Sequence, residues 1–262
     1  MTGVNDRTEA AHADQRYQRI LQQLRENGRI NAGEMATLLN VTGETLRKDL
    51  IHLERHGRLR RVHGGAVPPE SLSFEPAVAT RTEYSAEKTR IARAALAHLP
   101  DHGSILIDAG STTERLAQLL PANRPLTVFT NTLPIALALV SNPLLTIFTF
   151  GGRLRSNTLA EVDDWTLRSL RETNVDVAFL GTNAVSIDRG LTTPDPAEAA
   201  VKRAMLGSSQ RHILLVDHSK FGVVSTTQHA TLDDIDLLIT DSDIALADLA
   251  ALRQAGVDVE LA

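Results

Sequence analysis

From Glu87 onward the chain alternates between helical periodicity and short apolar runs, and this alternation constrains the fold more than any other feature. The spacing predicts helices at Glu87–Leu99, Thr112–Leu120, Leu133–Val140, Asp164–Glu172, Pro196–Gly207 and Ile244–Gln254. Between them it predicts strands at Ser104–Asp108, Leu126–Thr130, Leu145–Phe150, Asp176–Leu180, His212–Val216 and Ile235–Thr240. Apolar strands that alternate with helices imply an α/β fold with a mainly parallel sheet covered on both faces. The length of 262 residues leaves room for a second domain.

That second domain is N-terminal and small, spanning residues 14–67. Residues 68–86 read as a linker, because Pro68, Pro69, Ser71, Ser73 and Pro76 interrupt any periodicity. Residues 87–262 form the large domain. In the small one, a helix is expected from about Asp14 to Asn27, with Ile20, Leu21 and Leu24 as its apolar stripe and Gly28 as its stop. A second helix runs from about Ala32 to Leu39, with Asn31 and Glu34 spaced as a capping box. After a turn at Asn40–Val41, Thr42 caps a third helix that continues to about His56. Leu46, Leu50 and Leu53 share one face of it, leaving Thr45, Arg47 and Lys48 on the other. Leu59–Val67 then alternates and turns through Gly64–Gly65, as a small β-wing would. Two short helices joined by a tight turn, the second presenting polar and basic groups, make a helix-turn-helix, and the DNA major groove admits one helix. A three-helix core with an incidental basic face is the alternative. The wing cations Arg58, Arg60, Arg61 and His63, beside the proposed reading helix, weigh against it.

Charge supports the same division. Arg16–Val67 holds ten Lys/Arg against five acids, a net +5, so the remainder carries −10 within a total of −5. A basic module joined to an acidic one hints at a polyanionic partner for the first. The chain has no cysteine, which removes disulfides, zinc fingers, iron–sulfur clusters and thiol catalysis, and suits a reducing cytoplasm. Met1–Asp14 is too polar for a secretory signal, and Leu133–Phe150 is broken by Pro134, Asn142 and Pro143, so neither export nor a membrane span is expected. At 3% aromatic residues, single-strand binding by base stacking is also disfavoured.

In parallel sheets, ligands bind beyond the carboxyl ends of the strands. Those ends read Asp108-Ala109-Gly110-Ser111-Thr112-Thr113, Thr130-Asn131, Gly151-Gly152-Arg153, Gly181-Thr182-Asn183 and Asp217-His218-Ser219-Lys220. Gly110 permits close backbone approach, and Ser111, Thr112 and Thr113 stand at a helix N-terminus, where an anion is favoured. Hydroxyls, amides, carboxylates and the cations Arg153 and Lys220 together suit a polyol that carries a phosphate. Any single turn of this kind is better explained by capping, and only the turns taken jointly favour the ligand; Asp108 and Asp217 could hold sugar hydroxyls or cap their own loops.

From about Arg16 to Asp243 the sequence resembles the DeoR family of bacterial transcription regulators. The small domain carries V-T-x-x-T-L-R-K-D-L-x-x-L-E-x-x-G-x-L-x-R-x-H-G-G-A from Val41 to Ala66. The large one carries Lys88, D-A-G-S-T-T at Asp108, T-N at Thr130, G-G-R at Gly151 and F-L-G at Phe179. It continues with G-L-T-T-P at Gly190, A-V-K-R-A-M at Ala200 and D-H-S-K-F-G at Asp217. The resemblance implies a winged helix-turn-helix followed by an effector domain related to ribose-5-phosphate isomerase. It also implies a regulator, most often a repressor, of sugar or polyol catabolic genes, governed by a phosphorylated sugar. The chain departs from the pattern with Thr42 for Ser, Lys48 for Arg, Asn183-Ala184 for Asp-Gly, and Asp163 where Gly is common. Ser73-Phe74-Glu75-Pro76, Val162-Asp163-Asp164-Trp165 and Gly190–Asp195 look like the actinobacterial fructose-operon repressor subgroup, which would make fructose 1-phosphate the leading effector.

The expected partners are a double-stranded DNA operator, a sugar phosphate and further copies of the chain as a homodimer or homotetramer. No cofactor, metal or membrane is expected. For DNA the candidates are Thr42, Thr45 and Arg47 as groove or base contacts, Gly43 and Glu44 beside them, and Lys48, Arg60, Arg61 and His63 on phosphates. For the effector they are Asp108, Gly110, Ser111, Thr112, Thr113, Thr130, Asn131, Gly152, Arg153, Gly181, Asn183, Asp217 and Lys220. Two rival readings stay open. A sugar-phosphate isomerase lacks support because the Asp-Gly-Ala-Asp-Glu segment that such isomerases share is replaced by Phe179-Leu-Gly-Thr-Asn-Ala184, without the placed carboxylates that proton transfer needs. A nonspecific architectural DNA binder would leave the large domain without a purpose. A regulator acting as activator is a further variant.

Overall fold

The computed structural model describes residues 3–27, 30–62, 64–68, 75, 78 and 81–262. The chain divides into two units, Met1–Pro76 and Ala77–Ala262, so the division falls inside the stretch read as a linker. Part of that stretch belongs to the second unit. Val78 N–H donates to Asn157 O at 2.6 Å, and the first helix of the unit begins at Ser85.

The N-terminal unit is built on the leucine stripes. It contains α1 (Gly3–Asn27), β1 (Ile30–Asn31), α2 (Ala32–Leu38), α3 (Gly43–Arg55), β2 (Arg60–Val62) and β3 (Gly65–Val67). Ile20, Leu21 and Leu24 of α1 pack against Leu46, Leu50 and Leu53 of α3, with Ile30, Met35, Leu59 and Ala66 closing the core. The first helix starts well before Asp14, because Glu9, Ala10, Ala11 and Ala13 are helix formers with no breaker among them. Asn31 caps α2 by accepting from Gly33 N–H at 2.9 Å and Glu34 N–H at 3.3 Å. It also lies in β1, a strand that the sequence pattern did not separate from the cap. The three strands pair antiparallel in the order β1-β3-β2. The Asn40 backbone is left-handed (φ 52°) in the turn between α2 and α3, a conformation that asparagine tolerates.

Two ion pairs brace α3. Arg16 grips the buried Asp49 bidentately, at 2.7 and 3.0 Å, and so ties α1 to α3. Arg61 donates to Glu54 through its backbone N–H (2.8 Å) and through Nε (2.6 Å), tying the wing to α3. The Arg61 contacts hold the Glu54 carboxyl below its ordinary range.

The C-terminal unit is a seven-stranded parallel sheet. Its members are β4 (Gly103–Ile107), β5 (Leu126–Thr130), β6 (Leu145–Thr149), β9 (Val175–Leu180), β12 (Ser209–Leu215), β14 (Leu237–Thr240) and β15 (Val259–Leu261), in the order β15-β14-β12-β9-β4-β5-β6. All six pairings are parallel. One face is covered by α4 (Ser85–Ala95), α5 (Ser111–Leu119) and α6 (Leu133–Leu139), through Ile91, Leu116, Ile135 and Leu139 against Ile105, Ile107, Val128 and Phe179. The other is covered by α7 (Asp164–Arg171) and α8 (Pro196–Gly207), through Leu170, Val201 and Met205 against Leu106, Ala178 and Leu214; α9 (Leu246–Gln254) adds Leu249 and Leu252 to the same cluster. β15, the two-stranded pair β7 (Arg153–Leu154) and β8 (Glu161–Val162), and the antiparallel sheet of β10 (Ala184–Ser186), β11 (Gly190–Thr193) and β13 (Thr227–Ala230) were not expected from the sequence. Each is too short to display a period of two. No helix among the described residues is long and apolar enough to cross a membrane.

A Cβ at Gly65 would overlap the Ile30 carbonyl oxygen, whereas one at Gly64 meets nothing within 4 Å but sits at φ +76°. Gly65→Ala is therefore expected to lower stability by about 1–3 kcal/mol through overpacking. Gly64→Ala should cost about 1 kcal/mol through its backbone alone. Urea melts of the full chain check both, and equal losses would contradict the β1–β3 contact.

Candidate operator and effector sites

Helix α3 presents its first turn to solvent. Thr42 caps α3, with Oγ1 accepting from Thr45 N–H at 3.1 Å and lying 2.8 Å from Thr45 Oγ1. A Cβ on Gly43 would meet nothing within 4 Å, so the helix start has free space before it. Glu44, Arg47 and Lys48 are exposed, and Arg47 pairs with Glu44 at 3.5 Å. Such exposed pairs contribute little stability, so Arg47 can exchange partners at small cost. Arg60 is exposed on β2. The structure divides the basic residues by task, because Arg16 and Arg61 are held in internal ion pairs. His63 lies outside the described residues.

In the C-terminal unit the strand order reverses between β4 and β9, so a crevice opens at their carboxyl ends. Asp108, just past β4, occupies it and is 1% exposed. Its N–H donates to Phe179 O at 3.0 Å, and its Oδ2 accepts from Gly181 N–H at 3.0 Å. Lys202, from the buried face of α8, donates to Asp108 Oδ2 and also to Gly181 O at 2.9 Å. Asp108 Oδ1 is buried and has no hydrogen-bond partner among the described residues. Around this carboxylate, Asn131 Oδ1 accepts from Ala109 N–H at 3.0 Å, and Thr130 Oγ1 donates to Ile107 O at 2.7 Å. Thr113 Oγ1 closes the Gly110 turn at 2.9 Å. A Cβ on Gly181 would stand 3.8 Å from Asp108 Oδ2, in ordinary van der Waals contact. Ser111 and Thr112 open α5 at the same edge.

A second group lies past β12. Asp217 caps the 3-10 turn His218–Lys220 with Oδ1, which accepts from Ser219 N–H (3.1 Å) and Ser219 Oγ. Its Oδ2 is buried without a partner among the described residues. Burial would raise the Asp217 carboxyl, but Lys220 and Lys88 outweigh it and hold the group below its ordinary range. Lys88, from the first turn of α4, donates to Glu83 O at 2.7 Å and Arg81 O at 3.2 Å. Burial drives its ammonium down to about 8, against the opposing pull of Asp217. His218 pairs with the buried Asp241 at 2.7 Å; burial alone would lower the imidazole, but Asp241 raises it.

Three other candidates are occupied elsewhere. Gly152 (φ +119°) packs against Thr166 and the Val162 carbonyl, with no room for a Cβ. Arg153 is exposed and bonds Asp163 at 2.6 Å. Asp163 holds φ 76°, which is where glycine is favoured and where the family pattern has it. Asn183 Oδ1 accepts from Thr193 Oγ1 at 2.9 Å, bracing β11. Conversely, sequence reasoning treated Lys88 only as a mark of resemblance and passed over Lys202. Helical spacing holds the signal for Lys202, since Glu198, Val201, Lys202 and Met205 share the buried face of α8.

Residues 16–71 match the DeoR-like helix-turn-helix domain, and residues 83–242 match the DeoR C terminal sensor domain. The chain is 32% identical to the "Putative aga operon transcriptional repressor" of Escherichia coli O157:H7, over 94% of this chain and 93% of that protein. It is 31% identical to the "Uncharacterized HTH-type transcriptional regulator FruR" of Bacillus subtilis, over 87% and 91%. Among solved structures it is similar to ribose 5-phosphate isomerase A from Methanocaldococcus jannaschii, at 18% identity and a TM-score of 0.38, over 51% of this chain and 53% of that one. With both domain matches in chain order and relatives of nearly equal length, the chain belongs to the DeoR family of transcription regulators, not to a family of enzymes.

Proposed function

We propose that the protein is a cytoplasmic, homo-oligomeric repressor of a sugar or polyol catabolic operon, and that a phosphorylated sugar at the carboxyl ends of its parallel strands sets its grip on the operator. The observation that carries this reading is the pair of buried carboxylates, Asp108 and Asp217. Each has one oxygen bonded within the chain and one unpartnered among the described residues. Buried acceptors of that kind call for donors, and sugar hydroxyls supply them. Lys88 and Lys220 flank Asp217 and would hold the phosphate, with the first turn of α5 as a further anion site. Ser111, Thr112 and Thr113 belong to that turn, and Gly110, Thr130, Asn131 and Gly181 shape the crevice. Fructose 1-phosphate is the leading effector, on the motif likeness around Val162–Trp165 and Gly190–Asp195 and on the name of the FruR relative. No cofactor is required for binding and release.

At the other end, Thr42, Thr45 and Arg47 would meet the major groove, with Gly43 and Glu44 at the helix start and Lys48, Arg60 and His63 on phosphates. Arg61 would act by holding the wing in place. The effector changes operator affinity only to the extent that it binds the two states of the protein differently.

Arg47→Ala is expected to weaken operator binding by about 1–3 kcal/mol and to relax discrimination at one base pair. Gel shifts with wild-type and singly substituted operators measure this, and unchanged affinity would remove Arg47 from the reading surface. Lys220→Ala should cost about 1.5–3 kcal/mol of fructose 1-phosphate affinity by calorimetry while leaving ligand-free operator binding intact. An unaltered titration curve would exclude Lys220 from the pocket. Because Lys88 must be charged to meet phosphate, affinity should hold steady from about pH 7 to just below 8 and fall as pH rises through about 8. The ligand itself stays dianionic over that window, since its second pKa is about 6. Lys88→Met should flatten the profile, and a flat wild-type profile would refute the assignment.

A further inference from the structure

The two edges of the seven-stranded sheet differ in a way that the effector site does not explain. At one end β15 is three residues long, carries Glu260, and follows Asp258. Short length and charge are the ordinary protections of an exposed edge. At the other end β6 has five residues with neither a charge nor a proline. Its outer side pairs with no strand among the described residues. Thr146 and Phe148 are exposed, and Phe148 stacks on Phe129 of β5 at 5.0 Å. Phe129 and Phe148 lie on the face of the α7–α9 cluster, and on the opposite face α6 flanks the same edge. Leu133, Leu137 and Val140 fall on one face of α6, and Leu137 and Val140 are 72% and 67% exposed. Leu159, also exposed, joins this stripe, its carbonyl accepting from Leu133 N–H at 3.4 Å. Exposed apolar groups on both sides of one open edge mark an interaction site.

We infer that the β6 edge and the outer face of α6 form the interface between two copies of this chain. The charge pattern selects that occupant. No Asp, Glu, Lys, Arg or His lies between Arg124 and Arg153, so the surface meets its own image without repulsion and without an unpaired charge. A partner bearing complementary charge would find nothing here to pair with. Antiparallel pairing of β6 with its twofold mate satisfies the open backbone groups of both strands and is self-complementary, as an isologous interface must be. It joins two seven-stranded sheets into one. The choice of a second copy rests also on the operator reading proposed above, since a helix-turn-helix that reads paired half-sites needs two heads.

Sedimentation equilibrium of the full chain tests this. The wild type should sediment at a multiple of 28.4 kDa, and Leu137→Glu and Phe148→Glu should each halve that mass or reduce it further, with an unchanged circular dichroism spectrum. A monomeric wild type, or charge variants with undiminished mass, overturns the interface. Should the charge variants not fold, the cysteine-free chain permits a second route. Leu137→Cys or Thr146→Cys should form disulfide-linked dimers on mild oxidation, while Leu246→Cys on α9 should not; the absence of linkage from both test positions overturns the proposal. Operator affinity of the monomeric variant is read separately. If it equals that of the wild type, the interface stands and the paired half-site reading falls.

Discussion

A buried carboxylate at the point where a parallel sheet reverses its strand order governs the C-terminal unit. Taking a lone carboxylate out of water costs several kcal/mol, and Asp108 is almost wholly buried. Lys202 offsets that charge, and the same ammonium bonds Gly181 O, so one side chain of α8 fastens the ends of both β4 and β9. The helices, turns and hydroxyls of the site are arranged around this junction. Such a pair contributes little net stability compared with an apolar alternative. Its retention is therefore explained better by the acceptor it holds ready in Oδ1 than by the strength of the ion pair itself.

In the N-terminal unit, charge is partitioned in a comparable way. A tally of basic residues treats them as one surface, but Arg16 and Arg61 are committed to Asp49 and Glu54. Those two bonds orient the reading helix and its wing. Of the exposed cations, Arg47 and Lys48 lie on the first turns of α3 and Arg60 on β2. Each pair removes one acid with each cation, so the net +5 of the segment is unchanged, while the bracing fixes where its charges stand.

Much of this was legible in the sequence where a long period existed to be read. The stripes Leu46–Leu50–Leu53 and Ile20–Leu24 lie in the core as the helical spacing requires, and the major strands and helices of the sheet fall close to their expected bounds. The strands β7, β8 and β10 escaped although their partners are near in sequence, because each is too short to show an alternation. At the strand ends, residue type alone did not separate groups gathered around Asp108 and Asp217 from scaffolding elsewhere. Gly152 and Asn183 have the same composition as site residues, yet one packs against α7 and the other braces β11. Lys88 and Lys202 were hidden for the opposite reason. A lysine within a helix is ordinarily read as solvated, and only its burial reveals otherwise.

The backbone of β4 carries a consequence for how a small molecule would enter. Asp108 N–H is spent on Phe179 O and its Oδ2 on Gly181 N–H, so the strand cannot slide against β9 without losing both. A shift by one residue would also swing the carboxylate to the opposite side of the sheet. The crevice is thus finished when the sheet is finished. A molecule arriving there would meet acceptors already aimed, and little of its binding free energy would be lost to ordering the floor beneath it.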